Sequence, residues 1–176
     1  DNTSANTSSA VKNDNAEKNY RQVIKSYSFD YFDGEEISLN AADAVLGEVD
    51  IITDAPDYSG KAVKLSQGGE ASFSISVPAN KLYRIAIEYY DASDSTLPVN
   101  CDIAIDGAYH CYEMRNQQFE SEWKFETEDF ATDRYGNEIV PESLRIEKWR
   151  TKYFCDAAAI TIEPFWFRLE AGVHSL

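Results

Sequence analysis

The sequence has few basic residues and no long apolar run. Lysine and arginine together number 16 against 31 aspartates and glutamates, which gives a formal net charge of −15. This charge would repel a phosphate backbone and leaves no cationic patch to release counterions, so nucleic acid is not an expected partner. No apolar run reaches the ~18 to 20 residues that span a bilayer, so the sequence predicts no transmembrane segment.

The sequence also lacks the usual signatures of catalysis and of metal binding. Its two histidines, His110 and His174, belong to no HExxH motif or nucleophile elbow, and no GxxxxGK or GxGxxG is present to hold a phosphate. The three cysteines show no CxxC spacing, so zinc is not predicted. Cys101 either fills the core or forms a disulfide with Cys111. An enzyme is therefore not the expected function.

What the sequence does contain is enough apolar material for one folded domain. Hydrophobic residues make up 43% and aromatics 13% of the 176 residues, too much for a disordered chain. The start of the chain is small and polar, so we expect residues 1–15 to be a flexible tether and residues 16–176 to be the domain. Such a tether is typical of an extracellular protein on a bacterial cell surface, with a lipid anchor upstream of residue 1.

Short runs of β-branched and aromatic residues, bounded by Gly, Pro, Asn and Asp, follow one another through most of the domain. Phe73, Ile75 and Val77 alternate with serines, which predicts a strand with one buried and one solvated face. The pattern predicts an all-β fold, a two-sheet antiparallel β-sandwich of the jelly-roll type. The predicted strands are EEISLN, GEVDII, KAVKLS, EASFSISV, KLYRIAIEYY, VNCDIAID, FESEWKFE and PFWFRLEAGVHSL.

Two helices are expected beside these strands. The first begins the domain, where four apolar residues recur at helical spacing: Tyr20, Val23, Ile24 and Tyr27. The second interrupts the strands, because residues 133–150, DRYGNEIVPESLRIEKWR, show no alternation. Ile146, Trp149 and Tyr153 there fall at helical spacing. We therefore expect a short inserted helix within residues 141–153 that packs on the sandwich through these side chains. The alternative for Trp149 is a platform that stacks on a sugar ring.

A series of motifs follows in a recognisable order from residue 58 onward: Tyr-Ser-Gly, a strand ending in Val-Pro, Leu-Tyr, Ile-Asp-Gly and a late Ala-Gly-x-His. This order resembles carbohydrate-binding modules with the galactose-binding-like β-sandwich fold. A second set of matching residues is Gly136, Asn137, Ile139, Pro141, Trp149, Glu163, Pro164, Phe165, Gly172 and His174. That set is similar to a sandwich domain fused at the N-terminus of bacterial extracellular solute-binding lipoproteins of sugar ABC transporters. The resemblance implies a saccharide as ligand and the remainder of a larger surface protein as partner.

Aromatic side chains with neighbouring carboxylates are the residues expected to hold a saccharide. An aromatic ring offers apolar contact to a pyranose, and carboxylates accept hydrogen bonds from its hydroxyl groups. The candidate platforms are Trp123, Trp166, Tyr90 and Tyr112, and the candidate acceptors are Asp91, Asp94 and Glu122. Trp166 is either an exposed platform or a filler against a second sheet, because Phe165 and Phe167 share the opposite face of its strand.

A calcium ion is an option that the sequence leaves open. In DRYGNE, Asp133, Asn137 and Glu138 could supply oxygen ligands from one turn, although the spacing is not that of an EF-hand. No cofactor is required by the expected function. The alternative is that this turn is a solvated acidic loop without a bound ion.

Three functions fit these observations. The favoured one is a non-catalytic carbohydrate-recognition module, which requires an exposed tryptophan or tyrosine pair. The alternative is a structural or docking domain of a solute-binding lipoprotein with no ligand of its own, marked by an apolar patch that a neighbouring domain would cover. The third is a small jelly-roll glycoside hydrolase, which requires a cleft and a carboxyl group with a raised pKa.

Overall fold

The computed structural model describes residues 15–176, so the expected tether lies outside the described residues except for Asn15. Strands far outnumber helices in this part of the chain, which confirms the all-β class. The strand pairings are antiparallel throughout β1 to β15. Within residues 15–176, no helix has the length and apolar character needed to cross a membrane.

The helices are short and few. They are α1 (Tyr20–Ile24), α2 (Ala41–Ala44) and a 3₁₀ helix (Tyr112–Arg115). The strands are β1 (Val45–Leu46), β2 (Asp50–Ile52), β3 (Ala62–Lys64), β4 (Ser72–Val77), β5 (Lys81–Tyr83), β6 (Ala86–Tyr89), β7 (Val99–Cys101), β8 (Gln117–Phe119), β9 (Glu122–Phe125), β10 (Ala131–Thr132), β11 (Glu138–Ile139), β12 (Ser143–Ile146), β13 (Arg150–Tyr153), β14 (Phe167–Leu169) and β15 (Gly172–Ser175).

The sheets are small. One has three strands in the order β1-β4-β15, and the others are the pairs β2–β3, β5–β14, β6–β13, β7–β8, β9–β12 and β10–β11. β5 and β6 lie on one stretch of chain that pairs first with β14 and then with β13. Backbone hydrogen bonds from Phe154 to Ile85 and from Phe165 to Phe154 link these two pairs. The two-sheet jelly-roll arrangement itself stays a prediction.

The N-terminal helix is confirmed as α1. Asn19 caps it, because its side chain accepts a hydrogen bond from the Gln22 backbone while the Gln22 side chain accepts one from the Asn19 backbone. Tyr20 and Val23 are buried, as the helical spacing predicted. The apolar face of α1 therefore closes one side of the core.

The predicted helix within residues 141–153 is wrong, because this segment forms β12 and β13. β12 pairs along its full length with β9, and β13 pairs along its full length with β6. These partner strands satisfy the backbone donors and acceptors of the segment, and such tertiary pairing overrides local propensity. The helical spacing of Ile146, Trp149 and Tyr153 is therefore coincidental.

The first predicted strand, EEISLN in residues 35–40, is also wrong. Residues 35–40 contain neither helix nor strand, and Ile37 and Leu39 are exposed. Asn40, at the end of the segment, caps α2 by accepting a hydrogen bond from the Ala42 backbone. The alternation is present in the sequence, but no neighbouring strand pairs with this stretch.

The core lies between α1 and strands from both ends of the chain. Its fully buried large side chains are Phe154, Phe165, Phe167, Ile105, Met114, Gln117 and Cys111. In β4, Val77 is buried and Ile75 packs against this core, as the alternation predicted. The three cysteines are free thiols, so a disulfide between Cys101 and Cys111 is not formed, and Cys101 packs against the core.

A two-stranded arm, residues 122–146, extends from this core. Among the described residues, β9 and β12 pair only with each other, and β10 and β11 pair only with each other further along the arm. All four residues of β9 are exposed, as are both residues of β10 and of β11. The arm therefore contributes little to the core and presents its side chains to solvent.

Candidate functional site

The loop between β12 and β13 organises a group of aromatic side chains at the surface. The ring centroid of Trp149 lies 5.0 Å from that of Tyr58 and 5.9 Å from that of Tyr90. The Tyr90 hydroxyl donates a hydrogen bond of 3.3 Å to the Glu147 carboxylate. We call Tyr58, Tyr90, Glu147 and Trp149 the Trp149 cluster. Its three rings are half-buried, and Glu147 is exposed.

Hydrogen bonds from a neighbouring turn fix two rings of the Trp149 cluster. The indole Nε1 of Trp149 donates to the backbone oxygen of Pro56 at 2.6 Å. Asp57 adopts a φ of 51°, a left-handed conformation that aspartate tolerates, and places Tyr58 beside Trp149. The Tyr58 hydroxyl accepts a hydrogen bond of 3.0 Å from the Asn40 side chain. The aromatic surface is thus held in one arrangement before any ligand binds.

Asp91 supports this surface and does not face solvent. Its carboxylate accepts hydrogen bonds from the Ser121 hydroxyl and the Ser93 backbone, and it forms an ion pair of 3.4 Å with Arg145. Burial raises the pKa of Asp91, but the hydrogen bonds from Ser121 and Ser93 outweigh it, so the pKa lies below its ordinary value. Only 4% of the side chain is exposed. Asp91 therefore positions Arg145 and is not available to sugar hydroxyls.

Glu122 lies at the base of the arm, beside the same loop. Its carboxylate pairs with the Lys148 ammonium and lies 3.9 Å from the Arg150 guanidinium. The hydrogen bond from Lys148 lowers the pKa of Glu122. About half of the Glu122 side chain is exposed, at 51%, so it keeps free acceptor capacity. Glu122 is thus tied to the residues on either side of Trp149 in the sequence.

Trp123 and Arg145 lie on the same face of the β9–β12 pair. The two residues are directly opposite each other in the β9–β12 register, and opposite residues of an antiparallel pair project to the same side. Trp123 is 39% exposed. Four of the seven predicted ligand-binding residues, Tyr90, Asp91, Glu122 and Trp123, therefore converge on residues 145–150.

The structure does not bring Trp166 to this surface. Its ring is half-buried, with the Arg84 guanidinium 4.2 Å from its centroid and the Tyr31 ring 4.6 Å away. Phe165 and Phe167 on either side of it are buried on the opposite face, as predicted. Trp166 is thus neither an open platform nor a core filler, because the Arg84 and Tyr31 side chains pack against its ring.

Tyr112 and Asp94 also lie elsewhere. Tyr112 is an exposed residue of the 3₁₀ helix and lines a shallow cavity of about 300 Å³ together with Arg115, Asn116 and Asp156. Asp94 is exposed in the loop between β6 and β7. Neither residue contacts the Trp149 cluster. The fold therefore separates these two predicted ligand-binding residues from the others.

The turn proposed for calcium is held together by its own hydrogen bonds. The Asp133 carboxylate accepts from the backbones of Tyr135 and Asn137 and from the Asn137 side chain, and these bonds lower its pKa. Glu138 lies in the following strand, β11. Among residues 15–176, no group of three or more His, Cys, Asp or Glu side chains is placed to hold a metal ion. The geometry of this turn is that of a tight hairpin.

Sequence reasoning missed Tyr58 and Glu147, and for Trp149 it favoured helix packing over a sugar platform. The Tyr-Ser-Gly motif was identified, but strand alternation contains no signal for contacts between residues 58 and 149. That contact depends on the register of β13 against β6, which places the preceding loop beside the end of β6. Only the fold supplies this information.

Comparison with known proteins leaves this site without a precedent. No family model, no curated protein and no solved structure matches the chain. The resemblance to carbohydrate-binding modules therefore rests on the sequence motifs alone. Since a β-rich fold hosts many activities, function has to be argued from the Trp149 cluster itself.

Proposed function

We propose that the chain is a non-catalytic carbohydrate-recognition module of a bacterial cell-surface protein and that the Trp149 cluster is its binding surface. The observation that carries the proposal is a tryptophan and two tyrosines held together at the surface beside an exposed carboxylate. Aromatic rings with a few fixed polar groups are typical of saccharide sites. A neutral or basic saccharide is favoured, because a net charge of −15 repels acidic sugars.

The ring geometry leaves aromatic surface for a ligand. The plane of Trp149 is tilted by 40° to that of Tyr58 and by 51° to that of Tyr90, so the rings are not stacked face to face. Each ring is only half-buried. A pyranose could therefore cover the remaining aromatic area, which would exclude water from both partners.

Polar groups for the sugar hydroxyls lie beside these rings. Burial and the nearby Glu147 carboxylate raise the pKa of Tyr90, so its hydroxyl remains a donor at neutral pH. Glu147 and Asp57 are exposed and can accept hydrogen bonds from vicinal hydroxyl groups. This distribution favours recognition of a polyhydroxylated ring over a purely apolar ligand.

A glycoside hydrolase has weaker support. A glycosidase general acid requires a carboxyl group whose pKa is raised. Hydrogen bonds and ion pairs lower the pKa values of Asp91, Asp106, Glu122 and Asp133, so none of these four carboxyl groups fits that role.

The proposal is tested by titrating the domain against a broad panel of neutral and amino glycans at millimolar concentration, with and without calcium. Trp149→Ala and Tyr90→Ala should each weaken the affinity for any glycan that binds by about tenfold to a hundredfold, because each removes a stacking ring. Tyr135→Ala is the matched control, since it removes an exposed tyrosine from the arm and should leave the affinity unchanged.

Two results would count against the proposal. If no glycan produces heat or a chemical-shift change, the docking-domain alternative becomes the better account. If a glycan binds but Tyr135→Ala weakens it as much as Trp149→Ala does, the binding surface is not the Trp149 cluster. Circular dichroism of each variant separates lost binding from lost fold.

A further inference from the structure

The outer part of the arm carries large apolar side chains that nothing in residues 15–176 covers. We call residues 125–142 the distal arm. Its exposed large apolar residues are Phe125, Phe130, Tyr135, Ile139 and Val140, which are between 36% and 73% exposed. Two of them, Phe125 and Phe130, contact each other edge to face at 5.3 Å. Large exposed apolar side chains that contact each other are typical of interaction sites.

The architecture of the distal arm also calls for a partner. A two-stranded ribbon is at best marginally stable in water when no third strand or other element packs on it. β10 and β11 pair only with each other, and β9 and β12 pair only with each other, so both outer edges of the ribbon are unpaired within residues 15–176. Unpaired edges accept an additional strand from another chain. A docked strand or surface would therefore complete the ribbon.

The charge of the distal arm decides what kind of partner fits. It carries six carboxylates: Glu126, Glu128, Asp129, Asp133, Glu138 and Glu142. Arg134 is its one basic residue, and the guanidinium lies 4.6 Å from the ring of Tyr135. A second copy of the chain would bring the same six carboxylates and a net charge of −15 against this surface, so self-association is opposed. A basic surface is complementary to it.

We propose that the distal arm is a docking surface for a polypeptide segment that combines lysine or arginine with apolar side chains, bound along the ribbon. The partner's apolar side chains cover the phenylalanines, and its cations pair with the surrounding carboxylates. This surface is separate from the Trp149 cluster, and the inference does not depend on saccharide binding.

The probe for this proposal is a short peptide of alternating lysine and leucine, which as a strand has one basic and one apolar face. Peptides of alternating glutamate and leucine, and of lysine and serine, isolate the two contributions. Titration followed by backbone chemical shifts should show the lysine–leucine peptide bound at the distal arm. The lysine–serine peptide should bind at least about tenfold more weakly because it lacks apolar contact.

Two sets of variants locate the contact. Glu126→Gln combined with Glu128→Gln and Glu138→Gln should weaken peptide binding by about tenfold, since each exposed ion pair contributes a small amount. The matched control neutralises three exposed glutamates outside the arm, Glu35, Glu36 and Glu48, and should have much less effect. Phe125→Ser with Val140→Ser should abolish binding, whereas Leu97→Ser with Ile162→Ser, which alters exposed residues elsewhere, should not.

Three outcomes would overturn the proposal. The first is equal binding of the glutamate–leucine peptide, which would mean that charge does not select the partner. The second is an equal loss of binding in the arm variants and in their matched controls. The third is a dimer of the chain, measured by sedimentation, that the Phe125→Ser and Val140→Ser changes dissociate, because the occupant would then be a second copy.

Discussion

β14 and β9 have nearly the same pattern of aromatic and charged residues, but only β14 belongs to the core. In β14, Phe167 is 1% exposed. In β9, Phe125 is 47% exposed although it also alternates with a charged residue. The comparison shows that alternation predicts which side chains share a face and does not predict whether anything covers that face.

The covering element makes the difference. α1 packs on the segment that precedes β14, with the Tyr20 ring stacked on Phe165 at a centroid distance of 4.2 Å, and the Phe154 ring lies edge to face against Phe167 of β14. The Tyr20 hydroxyl also accepts a hydrogen bond of 2.8 Å from the Trp166 backbone. β9 has β12 as its only partner strand in residues 15–176, and all four of its residues are exposed. Coverage is therefore a property of the topology.

Truncating one aromatic side chain in each region should give the largest difference in the free energy of unfolding. Phe165→Ala should lower the free energy of unfolding by about 3 to 5 kcal/mol, because it opens a cavity in a fully buried site. Phe125→Ala should change it by less than about 0.5 kcal/mol, since the side chain is half exposed. Urea denaturation of the two variants measures both values. Similar losses would mean that the arm folds as part of the core.

Replacing Gln117, a buried polar residue of the core, should cause the next largest loss of stability. Gln117 is fully buried, and its side chain bonds the backbone oxygens of Glu113 and Cys155 and the backbone nitrogen of Cys155. Gln117→Leu leaves the backbone N–H and C=O of Cys155 unpaired, whereas the Glu113 oxygen keeps its bond from the Asn116 backbone. The change should cost about 2 to 3 kcal/mol. Gln118→Leu, one residue along β8 and only partly buried, should cost well under half of that in the same urea assay. An unchanged free energy of unfolding for Gln117→Leu would show that water replaces the lost bonds.

The sequence was sufficient for the local features that depend on neighbouring residues. It predicted the all-β class, the helix α1 and the buried face of β4, because capping and alternation are encoded within a few residues. It failed at residues 141–153, where the strands β12 and β13 exist only because β9 and β6 pair with them. The strand predicted at residues 35–40 was also wrong, because no strand in residues 15–176 pairs with this segment.

The candidate site was only partly predictable for the same reason. Tyr90 and Trp123 were identified from residue type, and the structure places both beside the loop between β12 and β13 and the strand ends that flank it. Trp166 has the same residue type, but its position against Arg84 and Tyr31 separates it from that loop. The contact between Tyr58 and Trp149 joins residues far apart in sequence, so no local pattern could indicate it.

The pair of His174 and Asp106 should make the stability of the β4–β15 sheet depend on pH. His174 Nδ1 lies 2.6 Å from an Asp106 carboxylate oxygen, and Nε2 lies 2.7 Å from the Glu170 backbone oxygen. Burial lowers the pKa of His174, but the bonds to Asp106 and Glu170 outweigh it, so the pKa is raised. Burial raises the pKa of Asp106, but the hydrogen bond from His174 outweighs it, so that pKa is lowered.

The sign of the pH effect follows from these two shifts. The contribution of His174 is complete below its unfolded pKa of ~6.5 and is lost as the pH rises through its higher folded value. The contribution of Asp106 is lost as the pH falls below ~4 through its lower folded value. Between about pH 5.5 and about pH 8.5, wild type should lose about 1 kcal/mol more stability than His174→Asn. An equal pH dependence in urea titrations of both proteins would contradict the ion pair.

The smallest expected effect lies at the tip of the arm and is local. Asp133 accepts hydrogen bonds from the backbones of Tyr135 and Asn137, so Asp133→Ala should increase amide exchange in β10 and β11 by about tenfold. The midpoint of global thermal unfolding should stay unchanged, because the arm is not part of the core. Asp129→Ala removes the same charge outside the turn and should leave exchange at Asn137 unaltered. A lower global midpoint for Asp133→Ala would show that the arm and the core unfold as one unit, which would abolish the distinction between β9 and β14 drawn above.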